Sequence, residues 1–165
     1  MKKFFSFPNP VNEYAARTVA TGVVIMAVTF LLTGWLWVLV VLTYGFLARV
    51  ATGPKLSPLG QLATRVLAPR LSPEPKLTPG PPKRFAQTIG LIFTVTALVL
   101  FGAVGVNAAR IVIGLLTVAA SLEAFLGFCL GCQIFSLAMK VGVIPESICE
   151  ECANLTLRHP ELAKN

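Results

Sequence analysis

From Thr18 to Ala48 the chain reads TVATGVVIMAVTFLLTGWLWVLVVLTYGFLA, without a single charged side chain. No water-soluble domain of ordinary design can close over such a run. In lipid, every backbone N–H and C=O must find its partner inside the segment, which leaves helices as the way to fold it. About 20 mostly apolar residues cross a bilayer, and Thr33-Gly34 divides the run into two such pieces. The second opens with Trp35 and Trp37, at the depth where aromatic side chains favour the membrane interface, and meets a basic flank at Arg49. A second apolar block begins near Ala86, turns at Gly105-Val106-Asn107, and stays apolar to about Met139.

The expectation is an all-α membrane protein with four transmembrane helices, over about 15–32, 35–50, 86–104 and 108–128 or longer. They form two helical hairpins joined by a Pro-rich linker, residues 51–85, and together make a membrane domain over 1–139. Residues 140–165 form a cytoplasmic Cys-containing tail. The fourth run is longer than a bilayer requires, so it either projects beyond the membrane or breaks at Gly127 or Gly131. Within the linker, Leu59, Leu62, Val66 and Leu67 recur at helical spacing between Ser57 and Leu71. With Arg65 and Arg70 to snorkel, they suggest a short helix lying in the interface. Pro73 to Pro82 reads as an extended connector.

The composition agrees: 55% hydrophobic, 13% charged, and a mean hydropathy of +0.77, outside the range of soluble domains. The stretch MKKFFSFPNPVNEYAAR is Pro-broken and lacks the short apolar core of a cleavable leader. The net charge of +7 has no basic stripe interleaved with exposed aromatics, which argues against nucleic acid and for basic flanks meeting anionic lipid. Of the 14 Lys and Arg residues, only Arg110 falls on the side away from the termini and linker. The positive-inside rule then puts both termini in the cytoplasm.

The segments PNPVNEYAAR, LARVATGPKLSPL, PPKRFAQTIG and LEAFLGFCLGC together resemble the domain of unknown function 4395 family of small bacterial integral membrane proteins. PPKRFA and GFCLGC are the most specific parts, and the resemblance covers nearly the whole chain. It implies a four-span membrane domain. The family has no established activity, so no catalytic residue is carried over. A neighbourhood of thioredoxin-like or sulfur-transfer proteins, which the resemblance also implies, leans towards thiol chemistry.

All four cysteines lie in two Cys-x-x-Cys pairs, Cys129/Cys132 and Cys149/Cys152. One reading is thiol redox or a sulfur relay, with a thioredoxin-like or sulfur-carrier protein as partner, since paired cysteines in a reducing compartment are more often catalytic or metal-binding than structural. A second is a four-thiolate zinc site built from the same four residues, whose C-x2-C-x16-C-x2-C spacing fits two knuckles. A third is a non-catalytic subunit or scaffold of a larger membrane complex, in which Gly127 and Gly131 serve close helix packing. Glu150 and Glu151 disfavour a thiolate at the second pair, and the C-terminal end of a long helix disfavours one at the first. A helix starting after Gly127 would reverse that sign for Cys129.

Glu123 lies inside the fourth span, where an ionisable side chain is expensive and functional by default. It is a candidate proton acceptor for the thiols, or a structural carboxylate satisfied by Arg17, Gln87 or neighbouring threonines. On an unbroken helix it would sit about 120–180° round from Cys129 and Cys132. His159, the only histidine, lies in the hydrophilic tail and makes a Cys-His pair a poor candidate.

Overall fold

The structure of the chain, a computed structural model, describes residues 9–71 and 77–145. Helix α1 (Glu13–Thr33) starts where the Asn12 side chain accepts the Tyr14 N–H at 2.9 Å, and Glu13 complements the dipole in the first turn. It stops at Gly34, whose left-handed backbone (φ 70°) lets its N–H reach the Phe30 carbonyl. Helix α2 (Leu36–Thr52) follows at once and ends at Gly53. After the linker, α5 (Gly80–Ala103) begins with Pro81 and Pro82 in its first turn, where a missing N–H costs nothing. Helix α6 (Val106–Leu126) follows a turn at Val104-Gly105.

Helices α1, α5 and α6 are long and apolar enough to cross a membrane; α2 is apolar but shorter, at 17 residues. The four form a closed ring in which α1 touches α2 and α6, and α5 touches the same two. Val23, Ala27 and Phe30 of α1 meet Leu39, Leu42 and Phe46 of α2 and Ile113 and Leu116 of α6 in the centre. Close approach of α2 and α5 depends on Gly90, where an added Cβ would lie 2.2 Å from the Phe46 ring. The outside of the ring is apolar as well, with Ile25, Leu32, Ile92, Val99 and Ile111 exposed. Helices apolar on every face need lipid as their solvent, so this is a multi-pass membrane protein by its surface as well as by its sequence.

The linker differs from its expected form in two places. Its helical part comes in three pieces: α3 (Pro58–Leu62), a π-helical turn (Ala63–Leu67) and α4 (Ala68–Leu71). It lies against α1 with Ala63 and Ala68 buried, Gly60 packs on Pro54 and Ser57, and Leu62 and Val66 stay exposed with Arg65. Small residues win that contact because they permit close approach, with Leu59 fitted into the notch at Gly22. The segment expected to be extended as far as Pro82 becomes helical at Gly80. Just before it, β2 (Leu77–Thr78) pairs antiparallel with β1 (Val11–Asn12), and the Gly80 N–H donates to Asn9 Oδ1 at 2.8 Å.

The long fourth run breaks at Gly127. Its φ of 68° is left-handed, and its N–H returns to the carbonyls of Leu122 and Glu123. Three residues later a separate helix, α7 (Leu130–Lys140), begins and packs against α5.

Candidate functional site: a dithiol beside a buried ion pair

The break decides the chemistry of the first cysteine pair. Cys129 is the N-cap of α7, with extended backbone (φ −86°, ψ 101°), and its Sγ accepts the Cys132 N–H at 3.3 Å. A sulfur in the N-cap position takes the role of a serine or aspartate oxygen and sees the positive end of the helix. The expectation for an uninterrupted helix, with the pair at a negative C-terminal end, is therefore overturned. Gly131 holds the arrangement in place: a Cβ there would come within 2.5 Å of the Ala86 Cβ. Phe135 and Phe85 close the same contact, with ring centroids 5.5 Å apart.

Folding α7 back onto α5 brings the dithiol to Lys83 and Glu123. Lys83 Nζ and Glu123 Oε1 form an ion pair at 2.6 Å, both side chains largely buried. Of the partners expected for Glu123, none takes it. The Arg17 side chain instead donates to the carbonyls of Ala124 (3.3 Å) and Phe125 (2.8 Å) at the end of α6, and Gln87 Oε1 accepts from Arg49 Nε at 2.8 Å. Lys83 reads in the sequence as an ordinary basic flank, so its selection is a tertiary event. The signal that it existed was the carboxylate itself, which inside a membrane domain calls for a cation.

The two thiols are pushed in opposite directions. The hydrogen bond shared with the Cys132 side chain holds Cys129 below the ordinary cysteine value, helped by the Lys83 charge and the Cys132 N–H and opposed by burial and Glu123. The same hydrogen bond, then burial and the neighbouring thiolate, pushes Cys132 up. Of the two, Cys129 is the one whose surroundings favour the thiolate, and Cys132 the one whose surroundings favour keeping the proton.

Cys129 and Glu123 also line one cavity of about 210 Å³, walled by Val19, Phe46, Gly90, Phe93 and Leu116 and almost wholly apolar. The cavity therefore extends from the thiol end into the helical ring. Cys129 is only 7% exposed, whereas Cys132 is half-buried. Cys149 and Cys152 lie outside the described residues, as does His159. Among the described residues no three His, Cys, Asp or Glu side chains come together as metal ligands.

Four segments far apart in the chain build this end of the molecule. PNPVNEYAAR supplies Arg17, LARVATGPKLSPL supplies Arg49 and Ser57, PPKRFAQTIG supplies Lys83 and Gln87, and LEAFLGFCLGC supplies Glu123, Cys129 and Cys132. A family model described as Domain of unknown function (DUF4395) matches residues 11–140. The chain belongs to the DUF4395 family. No curated protein and no solved structure matches it. The DUF4395 match includes Arg49, Lys83, Glu123, Cys129 and Cys132, and stops short of Cys149 and Cys152.

Proposed function

We propose that this DUF4395 protein handles thiol electrons or sulfur through Cys129 and Cys132 at the cytoplasmic face of the bacterial inner membrane. In this reading α2 is a fourth span, the helices act as two hairpins, and both termini are cytoplasmic. The basic end of the ring, with Arg17, Arg49, Lys83, Arg84 and Lys140, supports that orientation. The observation that carries the reading is Cys129 as the N-cap of α7, accepting the Cys132 N–H at 3.3 Å beside Lys83.

The chemistry follows from which thiol is buried and which is the better leaving group. Cys129, as thiolate, attacks a small disulfide or sulfane-sulfur compound reaching it through the cavity; the S–S bond of that compound breaks and its other sulfur leaves as the anion. Cys132 then attacks the Cys129 sulfur, releases the reduced compound and closes a Cys129–Cys132 disulfide. In this reading Glu123 accepts the proton that Cys132 gives up. A thioredoxin-like dithiol restores the pair by attacking the more accessible Cys132 sulfur. Cys129 departs as thiolate, the favoured leaving group because its pKa is the lower of the two. The partner's second thiol then resolves the mixed disulfide, so two electrons pass from the partner to the pair.

Anaerobic purification followed by thiol titration and zinc and iron analysis tests the assignment. Metal-free protein whose Cys129 and Cys132 oxidise together is the expected result. One zinc per chain held by all four cysteines would instead establish the metal reading. Inert thiols together with full complementation by a quadruple Cys→Ser variant would leave the scaffold reading.

A further inference from the structure

Helix α7 stands outside the ring, and its surface divides into three sectors. Gly131 and Phe135 face α5, where they meet Ala86 and Phe85. Cys132, Gln133, Ser136 and Lys140 share a second, polar sector. There Gln133 and Lys140 are exposed, and the Ser136 hydroxyl donates to the Cys132 carbonyl at 3.0 Å. Leu130, Ile134 and Leu137, with Val141 just past the helix end, fall on a third sector, within about 60° of one another round the axis. This aliphatic stripe is turned outward: Ile134, Leu137 and Val141 are 49%, 61% and 70% exposed.

The position of the stripe points to lipid as its cover. It continues the apolar outside of the ring, since Phe125 and Leu126 at the end of α6, Phe128 in the break and Ile92 on α5 are exposed beside it in the chain or on the helix it packs against. At 11 residues α7 is about half a span, too short to cross. Its docking depth fits the interface instead. Helix α5, at 24 residues, is about 36 Å long against a hydrocarbon core of about 30 Å. Phe85 and Ala86 lie in its second turn, so with α5 centred on the bilayer α7 docks about 5 Å inside the hydrocarbon edge. Interfacial helices bury their apolar face to that depth. Arg84 and Lys140 are exposed at this level and long enough to snorkel to the headgroups. A protein partner fits less well. Between Phe128 and Val143 the one charge is Lys140, and the stripe carries no aromatic or arginine anchor of the kind on which protein interfaces centre. Its four side chains offer a few hundred Å², short of the roughly 800 Å² that each partner brings to a stable protein interface.

We infer that α7 lies in the plane of the membrane interface, with Leu130, Ile134, Leu137 and Val141 among the acyl chains of one leaflet and the Cys132, Ser136 and Lys140 sector towards the headgroups. Two supports then hold the dithiol in place: α5 through Gly131 and Phe135, and phospholipid through the aliphatic stripe. Cys132 stays on the sector open to headgroups and water. The inference does not rest on the thiol chemistry, because it needs only the faces of α7 and their depth.

The test places the photo-crosslinking residue p-benzoylphenylalanine singly at Leu137, Ser136 or Val99 of the full chain. Membrane vesicles of the producing cells are irradiated before any detergent is added, and adducts are identified by intact mass. Val99, exposed on α5, calibrates the yield from a lipid-facing position. Leu137 should give phospholipid adducts at a yield near that of Val99, and Ser136 several-fold fewer. A second arm measures hydrogen exchange of the α7 amides in phosphatidylethanolamine–phosphatidylglycerol nanodiscs. Leu137→Asp should speed that exchange by roughly tenfold or more, the worth of one buried leucine, whereas Ser136→Asp should stay within about threefold. The crosslinking arm keeps an apolar group at Leu137, so it stays decisive if Leu137→Asp does not fold. Neither arm reads the thiols, so a dithiol that fails to titrate leaves this result standing. Crosslinks from Leu137 to a second copy or to another protein, lipid yields at Leu137 no higher than at Ser136, or equal exchange in the two aspartate variants would overturn the proposal.

Discussion

Lys83 and Glu123 show how much a single side chain in this protein depends on its opposite number. Removing one leaves an uncompensated buried charge, at a cost of about 3–5 kcal/mol. Lys83→Met and Glu123→Leu alone should each lower stability in detergent unfolding by that order, and the double variant should be less destabilised than the worse single one. Additive losses would contradict the pairing. The cysteines carry a prediction of their own. Alkylation rate follows the thiolate fraction, so the Cys129 rate should rise with pH through a midpoint below the ordinary cysteine value, and Cys132 should remain slow where Cys129 is already fast. Cys132→Ser trades the thiol donor for a hydroxyl and leaves the backbone N–H, so Cys129 should keep part of its shift; Lys83→Met should move the midpoint up. Both pH-rate profiles are measurable by mass spectrometry of labelled peptides. Glu123 and the cysteines were legible in the sequence because a carboxylate in an apolar run and a Cys-x-x-Cys pair each stand out. Lys83 and Arg49 were not, since a basic residue beside a span looks the same whether it faces lipid headgroups or a buried partner.

At the scale of elements, two glycines four residues apart do opposite jobs. Gly127 supplies a left-handed cap that ends α6, and Gly131 supplies a surface on which α7 lies against Ala86. The sequence offered both as break points and could not choose, because a glycine's freedom and its lack of a side chain look identical in one letter. Gly127→Ala should cost about 1–2 kcal/mol through the left-handed backbone. Gly131→Leu should instead push α7 off α5, leaving the spans intact but exposing Cys129. A bulky maleimide should then label Cys129 faster in Gly131→Leu than in the parent, and unchanged labelling would contradict the role of that contact. The linker was read less well for a related reason. Its apolar spacing marks a helix, but the face that meets protein is made of Gly60, Ala63 and Ala68, and hydrophobic periodicity weighs small residues too lightly to find it.

Among the described residues the molecule is a ring of apolar helices whose buried charges Arg49, Lys83 and Glu123 gather at one end. Long uncharged runs made the membrane class and the helical breaks near Gly34 and Gly105 readable, because lipid leaves the backbone so few alternatives. The meeting of four distant segments was not readable, since it depends on which faces of α1, α5, α6 and α7 turn inward. The central claim is that this convergence makes Cys129 and Cys132 one reversible two-electron unit. Equilibrating the purified full chain against thioredoxin mixtures of graded potential, then mapping disulfides by mass spectrometry, tests it most directly. The account predicts a single Cys129–Cys132 disulfide that forms and disappears together along one two-electron curve. Thiols at Cys129 and Cys132 that stay reduced across the whole range, or that pair only with Cys149 and Cys152, would contradict it.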